Sequence, residues 1–394
     1  MEYSIKMEPE DFQVEEIPEI VEKLDSGKYT ILKIRLKNWE TNHFITYLSR
    51  YLGISRKRVT YAGTKDKRAL TTQYFCLNAG IVQDEIRIKD CEILEKFYVN
   101  HPLNLGDLRG NRFTIRVFSN DDENYSRAWN RMNEISSRGA FWNFFGIQRF
   151  GMMRYNTHEV GRKIIKEGME SAVKEYLYDP EIDHDDFRIE LGKTWDYARG
   201  LIQYPEHLQF ERALMSELVA GKSYSEAFEA LPKPLRIMFI HAYQSFLFNR
   251  ILKERMNLSK NPLKIYDGDL VSPIDQLYNI NEANIIEVNQ FNLEKIQKMT
   301  VERKVTPLAP LIGMETRQQN GVPGNLITKV MEEENITFED FRVREKSELS
   351  SKGNYRSIAF VPNEVVLKEE NVFQFTLGKG IYATTFLDQV FKLD

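Results

Sequence analysis

A single acidic residue lies inside a strongly basic stretch of the sequence. Asp66 is the only carboxylate between Glu40 and Asp84. The stretch around it carries seven basic residues: Arg50, Arg56, Lys57, Arg58, Lys65, Lys67 and Arg68. Because nearby cations favour the ionised form of a carboxyl group, we expect the pKa of Asp66 to be lowered. A carboxylate that stays ionised where a polyanion binds has the chemistry of a nucleophile acting on nucleic acid.

A structural role for Asp66 is the alternative. A basic turn can contain one acid that only forms a surface ion pair, and such pairs contribute little to stability. The charge pattern alone leaves both interpretations open.

Two β-prone segments flank Asp66 and predict that it lies on a loop. Residues 59–61 and 70–77 are rich in Val, Thr, Tyr and Phe, which favour strands. Gly63 interrupts the pattern between them. A rigid scaffold often presents catalytic groups on such loops, so the position suits a reactive carboxylate.

The other elements predict an α+β fold. Residues 29–37 mostly alternate apolar and polar side chains, as in a half-buried strand. Thr41 is predicted to cap a helix that ends at Gly53. Further strands are predicted at 91–99, 112–118, 356–361, 364–368 and 372–377, and helical patterns dominate from about 155 to 345.

The stretch GTKDKRALTTQ resembles the signature of the tRNA pseudouridine synthase D (TruD) family. That signature is Gly-x-Lys-Asp-x-x-Ala-x-Thr-x-Gln, and its aspartate is catalytic. Six positions match at the required spacing: Gly63, Lys65, Asp66, Ala69, Thr71 and Gln73. The resemblance implies that Asp66 is the catalytic residue and that Lys65, Lys67 and Arg68 contact the RNA backbone.

The N-terminal sequence resembles a second motif of the family, Lys-x-x-Pro-x-Asp-Phe-x-Val-x-Glu. It begins at Lys6 and ends at Glu16. The resemblance implies that Lys6 pairs with Asp66 and keeps it ionised, and that Phe12 lines the pocket for the target base. From the residues alone, this segment is a surface strand with acidic flanks.

Three more motifs extend the resemblance along the chain. Residues 110–114 resemble Gly-Asn-x-Phe-Thr, which implies that Asn111 and Phe113 face the substrate. A flipped uracil needs an amide to read its edge and a ring to stack on. Residues 143–151 match a motif in which Arg149 binds RNA phosphate or braces the active-site loop.

The last motif lies near the C-terminus. LGKGIYAT resembles Leu-Pro-x-Gly-x-Phe/Tyr-Ala-Thr, which implies that Tyr382 reaches the substrate. Gly378 stands where the family commonly has proline, a departure that concerns only the local turn. Structural roles compete with these two assignments. Phe113 could be only a core aromatic residue, and Tyr382 only the start of a helix. HAYQSFLFN, at residues 241–249, resembles the archaeal and eukaryotic members of the family more closely than the bacterial ones.

Chain length predicts two domains, because 394 residues exceed the usual size of one. The family implies a discontinuous pseudouridine synthase catalytic domain, with a mixed antiparallel sheet flanked by helices, at 1–138 and 346–394. A mostly helical TRUD insertion domain is expected at 139–345.

Composition limits the possible partners. The net charge of −4 excludes a uniformly basic surface, so RNA binding requires a local patch. Two cysteines are too few for a disulfide framework or a thiolate metal site. We expect a soluble, cytoplasmic monomer that uses no metal or cofactor and does not associate with a membrane.

The function implied by the family is isomerisation of uridine to pseudouridine in tRNA, at uridine 13. The enzyme would be an intramolecular transferase with an aspartate nucleophile, and its partner would be tRNA or another structured RNA. A non-catalytic RNA-binding or RNA-folding module is the alternative, and a small-molecule enzyme that uses the central insertion as a lid is a third hypothesis.

Overall fold

The computed structural model of the protein describes residues 3–20, 22–65, 67–78, 86–119, 121 and 123–392. The chain divides into two compact units. The first comprises Met1–Phe141, Ile274–Asn279 and Phe360–Asp394, and the second comprises Trp142–Pro273 and Ile280–Ala359. None of the helices in the described part of the chain is long and apolar enough to cross a membrane.

These unit boundaries differ from the domain limits expected at 138/139 and 345/346. The strand Asn354–Ser357 pairs with Val305–Leu311, and this pairing keeps residues up to 359 in the second unit. The short segment Ile274–Asn279, by contrast, belongs to the first unit. There the side-chain amide of Asn279 donates to the Arg109 carbonyl at 2.7 Å.

Eight strands of the first unit form one mixed sheet. We number them β1 (Phe12–Pro18), β2 (Tyr29–Lys37), β3 (Val59–Tyr61), β4 (Leu70–Leu77), β5 (Cys91–Val99), β6 (Leu108–Arg116), β7 (Asn363–Glu369) and β8 (Val372–Gly378). Their order is β7-β8-β6-β1-β4-β2-β5, with β3 beside β4. Only β1 and β4 run parallel, whereas the other pairs are antiparallel. The predicted α+β class with a mixed, mainly antiparallel sheet is confirmed.

Three helices of the first unit are α1 (Thr41–Tyr51), α2 (Glu123–Arg138) and α3 (Ala383–Phe391). The prediction that Thr41 caps α1 is wrong. The Glu40 carboxylate accepts the backbone N–H groups of Asn42 and His43, so Glu40 is the cap. The helix ends at Tyr51, two residues before the end predicted at Gly53. Gly53 takes a φ of +65° just beyond it, which glycine adopts at low cost.

Helices pack on one face of this sheet. The apolar side of α1 inserts Phe44 between strand residues, and its ring lies 5.1 Å from that of Phe75. At the other end of the sheet, Phe386 of α3 packs edge-on against Phe375 at 4.7 Å. Fully burying one such side chain contributes roughly 1.5–3 kcal/mol. The two helices therefore fix the strands that carry the family motifs.

The second unit is mainly helical, with one small antiparallel sheet. That sheet comprises Ile286–Glu287, Leu270–Pro273, Val305–Leu311 and Asn354–Ser357, in this order. The helices are Thr157–Lys166, Met169–Leu177, Asp186–Thr194, Tyr197–Gln203, Gln209–Val219, Tyr224–Ala227, Lys233–Leu258, Leu293–Val301 and Gly321–Glu334.

A partly buried carboxylate in the second unit predicts a pH-dependent stability. Burial first, and the nearby charge of Asp179 second, raise the pKa of Glu175 from 4.5 to about 8. The folded chain therefore binds this proton more tightly than the unfolded chain does. The resulting stabilisation is complete below pH 4.5 and is lost as the pH rises towards 8.

We expect Glu175→Gln, which stays neutral, to be more stable than the unaltered protein at pH 8.5. The expected gain is about 1–2 kcal/mol after allowance for solvent screening of a partly buried group, with little gain at pH 5. Thermal unfolding of both proteins at the two pH values measures it. A gain of equal size at both values would contradict the assignment.

Candidate active site

The site is built around the loop between β3 and β4. Asp66 itself lies outside the described residues, but both of its flanks are described. The Ala62 carbonyl accepts from Gly106 N–H at 2.8 Å, and the Ala69 carbonyl accepts from Asn38 N–H at 3.1 Å. Main-chain bonds therefore tie both ends of the loop to neighbouring segments.

The side chain of Lys65 is held in a buried ion pair. Its Nζ lies 2.5 Å from Oε2 of Glu16, and the two side chains are 6% and 1% exposed. Burial is the larger influence on Glu16 and raises the pKa of its carboxyl group, while Lys65 acts in the opposite direction. This differs from the expectation that Lys65 contacts RNA phosphate, because its ammonium group is turned into the protein.

A chain of buried hydrogen bonds continues from the backbone of Lys65. Its N–H donates to Oγ1 of Thr41 at 2.9 Å, and the Thr41 hydroxyl donates to Oε1 of Gln73 at 3.2 Å. The Gln73 amide then donates to Oγ1 of Thr71 at 3.0 Å. Two residues of the family signature, Thr71 and Gln73, thus support the loop from β4.

Gly63 lies against this ion pair. A Cβ at position 63 would be 3.3 Å from Nζ of Lys65 and 3.7 Å from Oε2 of Glu16. A side chain there would therefore crowd the buried charges, which gives a packing reason for glycine in the signature.

An aromatic cluster lies on strands β1, β6 and β8. The rings of Phe12 and Phe113 meet edge-on at 6.1 Å, and those of Phe113 and Phe375 stack at 5.6 Å. Phe12 and Phe113 are 4% and 8% exposed. Phe113 is therefore part of the core, and Phe375 already occupies one side of its ring.

Lys6 lies over this cluster. Its Nζ is 4.0 Å from the centroid of the Phe12 ring, a cation–π distance. The residue also has a φ of +63°, a left-handed conformation that is uncommon for a residue other than glycine. Such strain is often retained where a side chain must point in a fixed direction.

Asn111 lies beside the ion pair. It is the cross-strand partner of Glu16 in the β1–β6 ladder and of Leu377 in the β6–β8 ladder. Its Oδ1 atom is buried and accepts no hydrogen bond within the described part of the chain. Because buried polar atoms are nearly always paired, this oxygen lacks a partner that a bound ligand could supply.

Tyr382 is the residue that precedes α3, and it is half-buried. Its carbonyl accepts the N–H of Phe386 at 3.1 Å, the first bond of the helix. Upstream, a Cβ at Gly378 would lie 2.2 Å from the Leu277 carbonyl oxygen. This close approach explains why glycine occupies the position at which the family commonly has proline.

The remaining predicted RNA contacts fall into two groups. Lys67 and Arg68 are exposed and form no ion pair with a carboxylate in the described ranges. Arg149 belongs to the second unit, where its guanidinium lies 5.2 Å from the centre of the Phe145 ring.

Sequence reasoning missed the roles of Glu16 and Thr41. Glu16 is the last residue of the N-terminal motif, so its position in the motif was the available signal. Thr41 gave no such signal, because its hydroxyl bonds to residues 24 and 32 positions away. In the described ranges, no group of three or more His, Cys, Asp or Glu side chains could hold a metal ion.

Comparison with known proteins gives one consistent result. The family model described as tRNA pseudouridine synthase D (TruD) matches residues 1–390. A Picrophilus torridus protein named as a probable tRNA pseudouridine synthase D is 46% identical over 390 residues, 98% of this chain and 93% of that protein. A Thermoplasma volcanium protein of the same name is 45% identical over 397 residues, with 99% and 94% covered.

A solved structure agrees with the sequence relatives. The crystal structure of a protein assigned as tRNA pseudouridine synthase D (TruD) from Methanosarcina mazei superposes with a TM-score of 0.80 at 33% identity. The match covers 99% of this chain and 93% of that one. Sequence and fold thus agree over nearly the whole length, and the chain belongs to the tRNA pseudouridine synthase D (TruD) family.

Proposed function

We propose that the protein isomerises uridine 13 of tRNA to pseudouridine, with Asp66 as the nucleophile. The reaction breaks the N1–C1′ glycosidic bond, turns the uracil ring and forms a C5–C1′ bond. The proton on C5 is lost and N1 gains one, so no redox change is needed. The Asp66 carboxylate attacks C1′ or C6, or assists removal of a ribose proton.

The observation that carries this proposal is the convergence of separate motifs on neighbouring strands. Phe12 touches Phe113, and Asn111 pairs across the sheet with Glu16, whose carboxylate holds the residue next to Asp66. An amide oxygen that is buried and has no partner among the residues the structure describes thus lies on the strand beside Glu16, which holds this loop.

Each surrounding side chain has a task in the proposal. Lys6 keeps Asp66 ionised, because a cation favours the charged carboxylate. Phe12 and Phe113 provide an apolar wall for the flipped base. Because Phe375 covers one face of the Phe113 ring, the base packs on the uncovered part of this wall, where stacking contributes roughly 1–3 kcal/mol per base. Asn111 and Tyr382 orient the base.

Phosphate contacts hold the RNA beside the site. The exposed side chains of Lys67 and Arg68 contact the backbone next to the target, and Arg149 is proposed to make a further phosphate contact. Lys65 makes no phosphate contact in the proposal, because its ammonium group is buried against Glu16. The proposed enzyme works as a cytoplasmic monomer on tRNA and requires no metal or cofactor.

Release of tritium from tRNA labelled at C5 of uridine tests the proposal. The reaction replaces the C5–H bond, so turnover releases the label into water. We expect release from tRNA and none from free uridine, because the phosphate contacts are absent there. If the protein releases no tritium but restores the fold of misfolded tRNA, the result would favour the RNA-folding module instead.

Asn111→Ala tests how the base is read. An amide that pairs with the edge of uracil contributes about 1–3 kcal/mol, so we expect kcat/KM to fall about 5- to 150-fold. Asn100→Ala, which removes an exposed amide at the end of β5, is the control and should leave the rate unchanged. Equal rates for both variants would exclude Asn111 from base recognition.

A further inference from the structure

We infer that Glu16 is a positioning residue for the reaction, because its ion pair with Lys65 fixes the backbone next to Asp66. The inference rests on the proposed function, since Glu16 has this task only if Asp66 reacts. It assigns a role to a residue that touches neither the base nor the phosphates in the proposal above.

Burial of the ion pair is the first observation. The Lys65 and Glu16 side chains are 6% and 1% exposed and are joined at 2.5 Å. Buried ion pairs contribute little net stability, and apolar replacement of both partners is often neutral or stabilising. A contribution to stability therefore does not by itself account for the pair, whereas fixing the orientation of Lys65 does.

A second anchor acts on the same residue. The backbone N–H of Lys65 donates to Thr41 at the start of α1, while its side chain reaches Glu16 on β1. Thr41 is in turn held by Gln73 on β4. Anchors on a helix and on two strands fix both the place and the direction of a loop residue.

The location of the pair is the third observation. Glu16 is paired across the sheet with Asn111, the proposed base-reading residue. Glu16 thus holds the loop of the proposed nucleophile through its carboxylate, while its backbone lies beside the strand that would hold the uracil. A misplacement of about 1 Å between reacting groups can lower a rate by about 10²-fold, so the link bears directly on catalysis.

Glu16→Gln tests the inference in the full-length protein. We expect kcat for tritium release from labelled tRNA to fall on the order of 10- to 100-fold, while KM and tRNA affinity stay unchanged. Glu15→Gln is the matched control. Glu15 precedes Glu16 on β1, is 39% exposed and forms ion pairs with Lys33 and Arg112, so its loss should leave kcat unchanged.

A double variant separates positioning from stability. Glu16→Gln combined with Lys65→Met leaves no buried charge unpaired, so the melting temperature should recover relative to Glu16→Gln. If the pair positions the loop, kcat stays low despite the recovered stability. Recovery of kcat together with stability would overturn the inference, as would a Glu16→Gln rate equal to that of Glu15→Gln.

The outcome also distinguishes the inference from the proposed function. If the unaltered protein forms no pseudouridine in tRNA, the proposed function fails and the inference falls with it. If the unaltered protein and Glu15→Gln are active and Glu16→Gln is equally active, only the inference fails.

Discussion

Asp66→Asn is expected to lower pseudouridine formation by about 10⁴-fold or more, because loss of an enzyme's nucleophile costs rates of this order. Asparagine has nearly the same shape but carries no negative charge, so it cannot form the bond to C1′ or C6. Binding of tRNA should persist, because the exposed cations around the loop are unchanged. Carbodiimide treatment followed by primer extension measures the product, and filter binding measures the affinity.

Asp90→Asn is the matched control for this variant. Asp90 lies in an exposed turn and has a φ of +58°, a conformation that asparagine also tolerates. We expect wild-type rates from it. Turnover by Asp66→Asn at the rate of this control would refute the nucleophile assignment and favour a structural role for Asp66.

Asp269→Asn is expected to destabilise the second unit by about 3–5 kcal/mol, because it leaves a buried arginine without its charge partner. The two terminal nitrogens of the Arg255 guanidinium, Nη1 and Nη2, each donate to the Asp269 carboxylate at 2.7 Å. The two side chains are 4% and 0% exposed, and Tyr266 N–H also donates to the same carboxylate at 2.8 Å. Urea unfolding measures the loss.

An ion pair of Glu254, the residue before Arg255 on the helix Lys233–Leu258, provides the control. Glu254 and Lys329 are 25% and 50% exposed and are joined at 2.6 Å. Because exposed pairs contribute little, Glu254→Gln should change stability by no more than about 1 kcal/mol. Similar losses for the two variants would contradict the view that burial determines the effect.

Local patterns were sufficient to predict much of the first unit. The strands predicted at 29–37 and 70–77 have those bounds in the structure. Alternation of apolar and polar residues is a property of neighbouring positions, so it can be read without knowing the rest of the fold. The end of α1 near Gly53 is predictable for the same reason.

Features that depend on tertiary contacts were not predictable. Both Glu40 and Thr41 could cap α1, and the choice follows from bonds between the Thr41 hydroxyl and distant residues of the loop and of β4. Lys65 belongs to a basic run, yet the parallel register of β1 and β4 brings Glu16 to it from 49 positions away. Charge alone could not show that this lysine is buried.

The bounds of the two units also depend on tertiary contacts that the sequence does not reveal. Residues 274–279 lie deep inside the segment expected to form the insertion, yet they belong to the first unit. Asn279 accepts from Lys379 N–H at 3.1 Å and donates to the Arg109 carbonyl, so it joins the ends of β6 and β8. Nothing in the composition of this short segment indicates that pairing.

A nucleotide-resolution pseudouridine map of one tRNA transcript, made with and without the purified protein, tests the central claim most directly. We predict one new pseudouridine, at position 13, and none when that position is changed to cytidine, because rearrangement of cytosine cannot give the uracil ring of pseudouridine. A map that is unchanged by the protein, or a modification only at other positions, would contradict the proposed activity or its target.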